Sequence, residues 1–192
     1  MAPTQIFSKT LNNESDIKIS LAQWSLNKSI KSGELPILDF AKKARSFDIN
    51  AIEYVASLYT EHSDVLDRMP MSSLAKELLK RSDDYGIDNF LFMIDGQGDL
   101  ASSRKRIRLE AIENHKRWID FSFEIGCKTM RVNLRGEDNL DRWTENSVKS
   151  LSVLSNYNKD LNVVVENHGD LSSNGKYLAN VMSKVNIDNC GT

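Results

Sequence analysis

Short apolar runs alternate with longer amphipathic stretches along most of this chain, and that alternation limits its possible folds more than any other feature. Ile17 to Trp24 opens the series as a strand, and a helix is expected from about Leu35 to Phe47. Ile37, Ala41, Ala44 and Phe47 recur there at steps of four, three and three, with Pro36 in the first turn. Asn50 to Val55 reads as a second strand, followed by a polar stretch through Pro70. Ser72 or Ser73 is placed to cap a helix carrying Leu74, Leu78 and Tyr85, which Gly86 stops. Asn89 to Ile94 is a third strand, running into the loop Asp95-Gly96-Gln97-Gly98-Asp99.

The longest helix is predicted over 103–125. Its core stripe is Ile107, Ala111, Trp118, Phe121 and Ile125, with one step of seven in the middle. Strands follow at 128–134, 161–166 and 186–190. Between them lie a helix over 139–157 and another marked by Leu178, Val181, Met182 and Val185. Strand–helix pairs at this spacing imply a parallel sheet joined by crossovers. The run Val163-Val164-Val165 is what a strand covered on both faces shows.

Open doubly wound sheets and closed barrels both satisfy this pattern. No G-x-G-x-x-G follows the first strand and no G-x-x-x-x-G-K-[ST] occurs, which removes the main support for a nucleotide-binding open sheet. A (β/α)8 TIM barrel is therefore favoured. Such a barrel needs about 250 residues, whereas this chain has 192 and presents about five and a half βα units. The expectation is an incomplete barrel with an unpaired strand edge, a fragment or early-terminated product unless a partner completes it. Residues 1–16 are expected to be a disordered lead-in, and 17–192 the partial barrel domain.

Charge and composition narrow the partners. With 25 Lys and Arg against 27 Asp and Glu, the net charge of -2 offers no general attraction to nucleic acid or acidic membrane. The basic cluster Arg104, Lys105, Arg106, Arg108, Lys116 and Arg117 reads first as a solvated helix face. Cys127 and Cys190 lack metal-ligand spacing and read as buried free thiols. No apolar run reaches the ~18 residues of a membrane span, and Met1 to Ser15 lacks a signal-peptide pattern. The chain as written is expected to be cytoplasmic, unless Met1 sits at the trimmed start of an exported protein.

Barrel chemistry sits at the C-terminal ends of the strands. That rule selects Gln23, Glu53, Asp95, Asn133, Arg135, Glu166 and His168. Glu166 follows three valines, where a carboxylate needs a cation or donor, and His168 shares its face by the strand period of two. The pair suits a divalent metal or a metal-bound polyol with a nearby proton acceptor. It equally suits a solvated strand end that starts a turn through Gly169. Glu53 reads as a carboxylate paired with an arginine across the barrel mouth, or as a catalytic group. Asn133 and Arg135 share a face and are able to donate to a substrate hydroxyl or phosphate, or Arg135 neutralises Glu166 or Glu53. His62 and His115 are expected at the surface.

The stretch from Val163 through Glu166, Asn167, His168 and Gly169 to Ser173 resembles the fifth-strand motif of the sugar phosphate isomerase/epimerase family, the xylose isomerase-like barrels. Ile19 to Ser25 resembles that family's first strand, and Ala51 to Tyr54 its second. The resemblance covers nearly the whole chain from about residue 17. It implies that Glu166 is the first ligand of a divalent metal (Mn, Mg, Co or Zn) and that His168 lies beside the substrate. It further implies an aspartate, a histidine and a glutamate as the other ligands, after the sixth strand and on the seventh and eighth. None of these can be placed in these 192 residues.

The expected function is a metal-dependent sugar or sugar phosphate isomerase or epimerase, acting by proton transfer next to a metal-bound carbonyl and inactive as this chain alone. His168 and Glu53 would be catalytic, Asn133, Arg135 and Gln23 would bind substrate, and Glu166 would hold metal. The partner is a small sugar, with neither nucleic acid nor membrane, and a homo-oligomer is compatible. Alternatives are a non-catalytic sugar-binding or vestigial barrel and an apurinic endonuclease. Three histidines and the net charge disfavour the last.

Overall fold

The computed structural model describes residues 18–192; the expected lead-in over 1–16 lies outside the described residues. The elements follow in this order: β1 (Leu21–Ala22), α1 (Asn27–Lys31), α2 (Phe40–Arg45), β2 (Ala51–Val55), α3 (Ala56–Thr60), α4 (Val65–Arg68) and α5 (Met71–Tyr85). Then come β3 (Asp88–Met93), α6 (Lys105–Glu124), β4 (Thr129–Val132), α7 (Leu140–Tyr157), β5 (Asn162–Val165), α8 (Gly175–Val185) and β6 (Cys190–Gly191). All six strands are parallel and lie side by side in sequence order. This is an arc of a (β/α)8 barrel. Among the described residues β1 and β6 each pair with one neighbour only.

Strand alternation sorts the side chains onto two faces. Ile52, Tyr54, Phe92, Met130, Val132, Val163 and Val165 are buried, with helices packed against these strands. The intervening Glu53, Leu91, Thr129, Arg131 and Val164 are only partly covered. An aromatic group occupies the layer between sheet and helices. Phe92 stacks on Trp118 with centroids 5.2 Å apart and on Tyr54 at 5.9 Å, and Phe121 meets it edge-on at 5.4 Å. Offset and edge-on pairs of this kind contribute beyond their buried area.

Several local expectations needed correction. The helix predicted over 35–47 is a 3-10 turn at Ile37–Asp39 followed by α2, which stops at Arg45. Asp48 adopts φ 58 just beyond, turning the chain, so Phe47 leaves the stripe and is 48% exposed under Lys43. Neither Ser72 nor Ser73 caps α5; Pro70 precedes its first residue, where a missing N–H costs nothing, and Gly86 ends it in the left-handed conformation. The polar stretch before Pro70 contains α3 and α4, and Ala56, Ser57, Leu58 and Tyr59 of α3 are buried. The first strand shrinks to two residues before a 3-10 turn over Gln23–Leu26. The last begins at Cys190 and not at 186, because Asn186 takes a left-handed conformation to close α8. Cys127 is a buried free thiol, whereas Cys190 is only half-buried.

Candidate functional site

The C-terminal ends of β3, β4 and β5 carry most of the charged groups of this molecule's main cleft, which encloses about 830 Å³. Its walls include Trp24, Glu61, Asp95 and the Gly96–Asp99 loop, with His115, Arg131, Asn133, Arg135, Glu166 and His168. Adjacent parallel strands hold Arg131 and Val164 in register, and the next inward positions are Asn133 and Glu166. Glu166 is fixed by its own backbone, whose N–H donates to Val132 O at 3.1 Å. Trp143 of α7 braces the end of β4, donating Nε1–H to Leu134 O at 2.9 Å.

Arg131 is the hub. Its Nη1 stands 3.1 Å from Glu166 Oε2, and its Nη2 stands 3.3 Å from Asp95 Oδ2. Asn133 Nδ2 donates to Asp95 Oδ1 at 2.7 Å. His168 Nδ1 lies 3.4 Å from Glu166 Oε2. Despite these neighbours, Arg131 Nε, Asn133 Oδ1 and Glu166 Oε2 are buried without an aligned hydrogen bond. The Arg131–Glu166 contact is thus electrostatic and leaves capacity for a further partner. Buried polar atoms are usually satisfied, so these three have capacity for a further partner such as a water or a ligand.

Glu166, His168, Asn133, Arg135 and Asp95 therefore come together as the strand-end rule anticipates. Arg135 pairs with neither Glu166 nor Glu53; Arg131, four residues earlier and deeper in β4, takes that task for Glu166. Gln23 is elsewhere. It is 0% exposed, its Nε2 donates to Tyr59 Oη at 3.0 Å, and its Oε1 accepts from Val55 N–H at 3.1 Å. Both ends of the amide are engaged in holding the chain after β1 to β2 and α3, and the side chain does not line the cleft. Glu53 is the third residue of β2 and does not end it; its Oε1 accepts from Ser20 Oγ, not from an arginine, and it does not line the cleft.

His115 corrects the expectation of a surface position. It is 2% exposed within α6, with Nδ1 2.7 Å from Ala111 O, and it borders the cleft. Burial pushes its pKa down to about 4. The step of seven between Ala111 and Trp118 held the clue, since position 115 completes the helical stripe. His62, half-exposed beside Glu61, stays outside the cleft.

The pair Glu166 and His168 fits part of a metal shell: a buried carboxylate oxygen without a hydrogen bond, and an imidazole nitrogen beside it. Among the described residues no group of three or more His, Cys, Asp or Glu side chains is arranged to hold a metal ion. Nor is any described helix long and apolar enough to cross a membrane.

No family model matches the chain, and no curated protein matches it. Solved structures do. A D-psicose 3-epimerase determined in the presence of D-fructose aligns at a TM-score of 0.66 and 15% identity, over 91% of this chain and 62% of its own. A D-tagatose 3-epimerase-like protein aligns at 0.67 and 19%, over 91% and 63%. The chain has the fold of these sugar epimerase barrels. It spans just over three fifths of their length. The epimerase barrel fold also serves a probable 3-DHS dehydratase, AsbF from Bacillus anthracis. That structure aligns at 0.64 and 14%, over 91% of this chain and 61% of its own. The fold alone does not choose a reaction.

Proposed function

We propose that this chain builds one half of the site of a metal-dependent sugar or sugar phosphate isomerase or epimerase, a reaction that moves a proton next to a carbonyl. The observation that carries this reading is Glu166 Oε2, a buried carboxylate oxygen without a hydrogen bond at the mouth of a polar barrel cleft. Glu166 would hold the divalent ion (Mn, Mg, Co or Zn), with the remaining ligands coming from later strands of a complete barrel. Bound there, the ion supplies polarisation of the substrate's carbonyl and hydroxyl oxygens. His168, 53% exposed at the cleft rim, would orient the sugar and accept a proton from it. Asn133 and Arg135 would donate to its hydroxyls, and the exposed Trp24 would give its apolar face a wall. The similarity to D-psicose and D-tagatose 3-epimerase structures supports a ketose as substrate.

One observation favours a second reading, a non-catalytic sugar-binding barrel: Arg131 already compensates the charge of Glu166. A guanidinium beside a ligand carboxylate opposes a divalent cation electrostatically. The test is made in a complete barrel carrying these strands. Glu166→Gln is expected to lower bound metal and turnover together, while His168→Ala lowers turnover or sugar affinity and leaves the metal in place. Full metal content and activity in Glu166→Gln would reject the ligand assignment and favour the second reading.

A further inference from the structure

His115 is used by nothing in the function proposed above, yet it is a buried imidazole bordering the cleft. The Gly96–Asp99 loop brings it there. Gly98, at φ 103, lies so close over α6 that a Cβ on it would come within 2.9 Å of Ala111 Cβ. Asn114 Nδ2 donates to Gln97 O at 3.3 Å. The loop is thereby laid down on the helix at Ala111 and Asn114, one turn and one residue before His115, and helix and loop line the same cleft.

The ring has a defined tautomer. Ala111 O only accepts, so His115 Nδ1 carries the proton that it donates at 2.7 Å. Nε2 then holds a lone pair and makes no hydrogen bond among the described residues. Burial keeps the ring neutral at physiological pH, with its pKa at about 4. Asp95, the nearby carboxylate that acts on this ring, is itself held by Arg131 and Asn133.

We propose that the end of the cleft beside the Gly96–Asp99 loop is a subsite for an uncharged hydroxyl group, with His115 Nε2 as the acceptor that reads it. A hydroxyl brings the proton that Nε2 lacks. A phosphate dianion brings only acceptor oxygens, and there it meets a lone pair and the Asp95 carboxylate. The subsite therefore selects an unphosphorylated end of a polyol. This rests on the reading of the cleft as a sugar site.

The test uses the 192-residue protein with 15N-labelled histidine, titrated with D-fructose while ring nitrogens and backbone amides are followed by NMR. The expected result is a protonated Nδ1 and bare Nε2 before sugar, and an Nε2 resonance that moves with the cleft amides on titration. D-Fructose 6-phosphate is expected to leave Nε2 unmoved or to bind with its phosphate elsewhere. His115→Asn keeps a donor for Ala111 O and loses the acceptor; it should bind D-fructose about tenfold more weakly at an unchanged unfolding midpoint. His115→Gln, able to place an acceptor near Nε2, should recover part of that loss. Movement of cleft amides without movement of Nε2 overturns the inference and leaves the sugar reading standing. No response anywhere in the cleft overturns the inference for this chain, while the sugar reading is decided by the test in a complete barrel. A ring protonated at Nε2 before sugar is added overturns the inference alone. Should His115→Asn fail to fold, the ring measurements on the unsubstituted protein still decide.

Discussion

Arg131 Nη1 lies 3.1 Å from Glu166 Oε2, and the same guanidinium reaches Asp95 through Nη2 at 3.3 Å. One cation thus spans the strand-end carboxylates of β3 and β5 from its place on β4. With the Arg131 side chain 20% and the Glu166 side chain 28% exposed, solvent screens this contact only in part.

Removing that cation should make Glu166 a better ligand. Arg131→Gln is expected to tighten Mn²⁺ binding to the 192-residue chain about tenfold at low salt, the equivalent of ~1.4 kcal/mol. Binding to the unsubstituted chain should remain weaker than micromolar, since two side chains alone would hold an ion loosely. Calorimetric titration of both proteins checks this. Weaker binding in Arg131→Gln would mean that the arginine positions Glu166 and does not oppose the ion.

Much of this arrangement was legible in advance. The alternation of apolar runs and amphipathic stretches yields the parallel order because a strand covered on both faces and a one-sided helix differ in period. The strand-end rule selected Asp95, Asn133, Arg135, Glu166 and His168, which line one cleft. Arg131 was missed because a charged residue inside Thr129–Val132 shows nothing of its length: it has the parity of Asn133 and Arg135 but reaches the mouth from deeper. His115 was missed because a charged helix surrounds it, although the gap in the Ala111–Trp118 stripe marked the place. Gln23 failed for the opposite reason, since a strand end also needs groups to satisfy its backbone, and Val55 N–H claimed it.

The buried imidazole makes stability pH-dependent. His115 in the folded chain has a pKa of about 4, against about 6.5 when unfolded. Below pH 6.5 the unfolded chain takes up a proton that the folded chain refuses, so stability falls as pH drops through this window and levels off below 4. The loss approaches ~3 kcal/mol. In His115→Gln, the drop in unfolding free energy between pH 7 and pH 4.5 should shrink by ~2 kcal/mol, measured by urea unfolding. An unchanged drop would place the ring in water.

Gln23→Leu keeps the volume and abandons two buried partners, Val55 N–H and Tyr59 Oη. A loss of ~2–4 kcal/mol in unfolding free energy is expected. The folded fraction should bind D-fructose as before, because Gln23 does not line the cleft. A selective loss of sugar affinity would return Gln23 to the substrate.

Gly136→Ala tests the contact between the loops after β3 and β4. At φ 102, a Cβ there would stand 2.4 Å from Asp99 Cβ. Backbone strain and collision together should cost more than ~2 kcal/mol. Adding Asp99→Gly should return the steric part and leave the strain, which thermal unfolding of single and double variants resolves. A neutral Gly136→Ala would show that the two loops do not touch in solution.

Because β3, β4 and β5 are neighbours in sequence as well as in the sheet, every charge in the Asp95–Arg131–Asn133–Glu166 group comes from three consecutive strands. No strand pairing between them spans more than one intervening helix. On a ribosome, this group has all its members once the strand ending at Val165 and the residue after it have emerged, and low contact order favours its early assembly. The acidic mouth of the barrel would then be neutralised from within during synthesis, before any ligand arrives, by an arginine that was translated between the two carboxylates it joins.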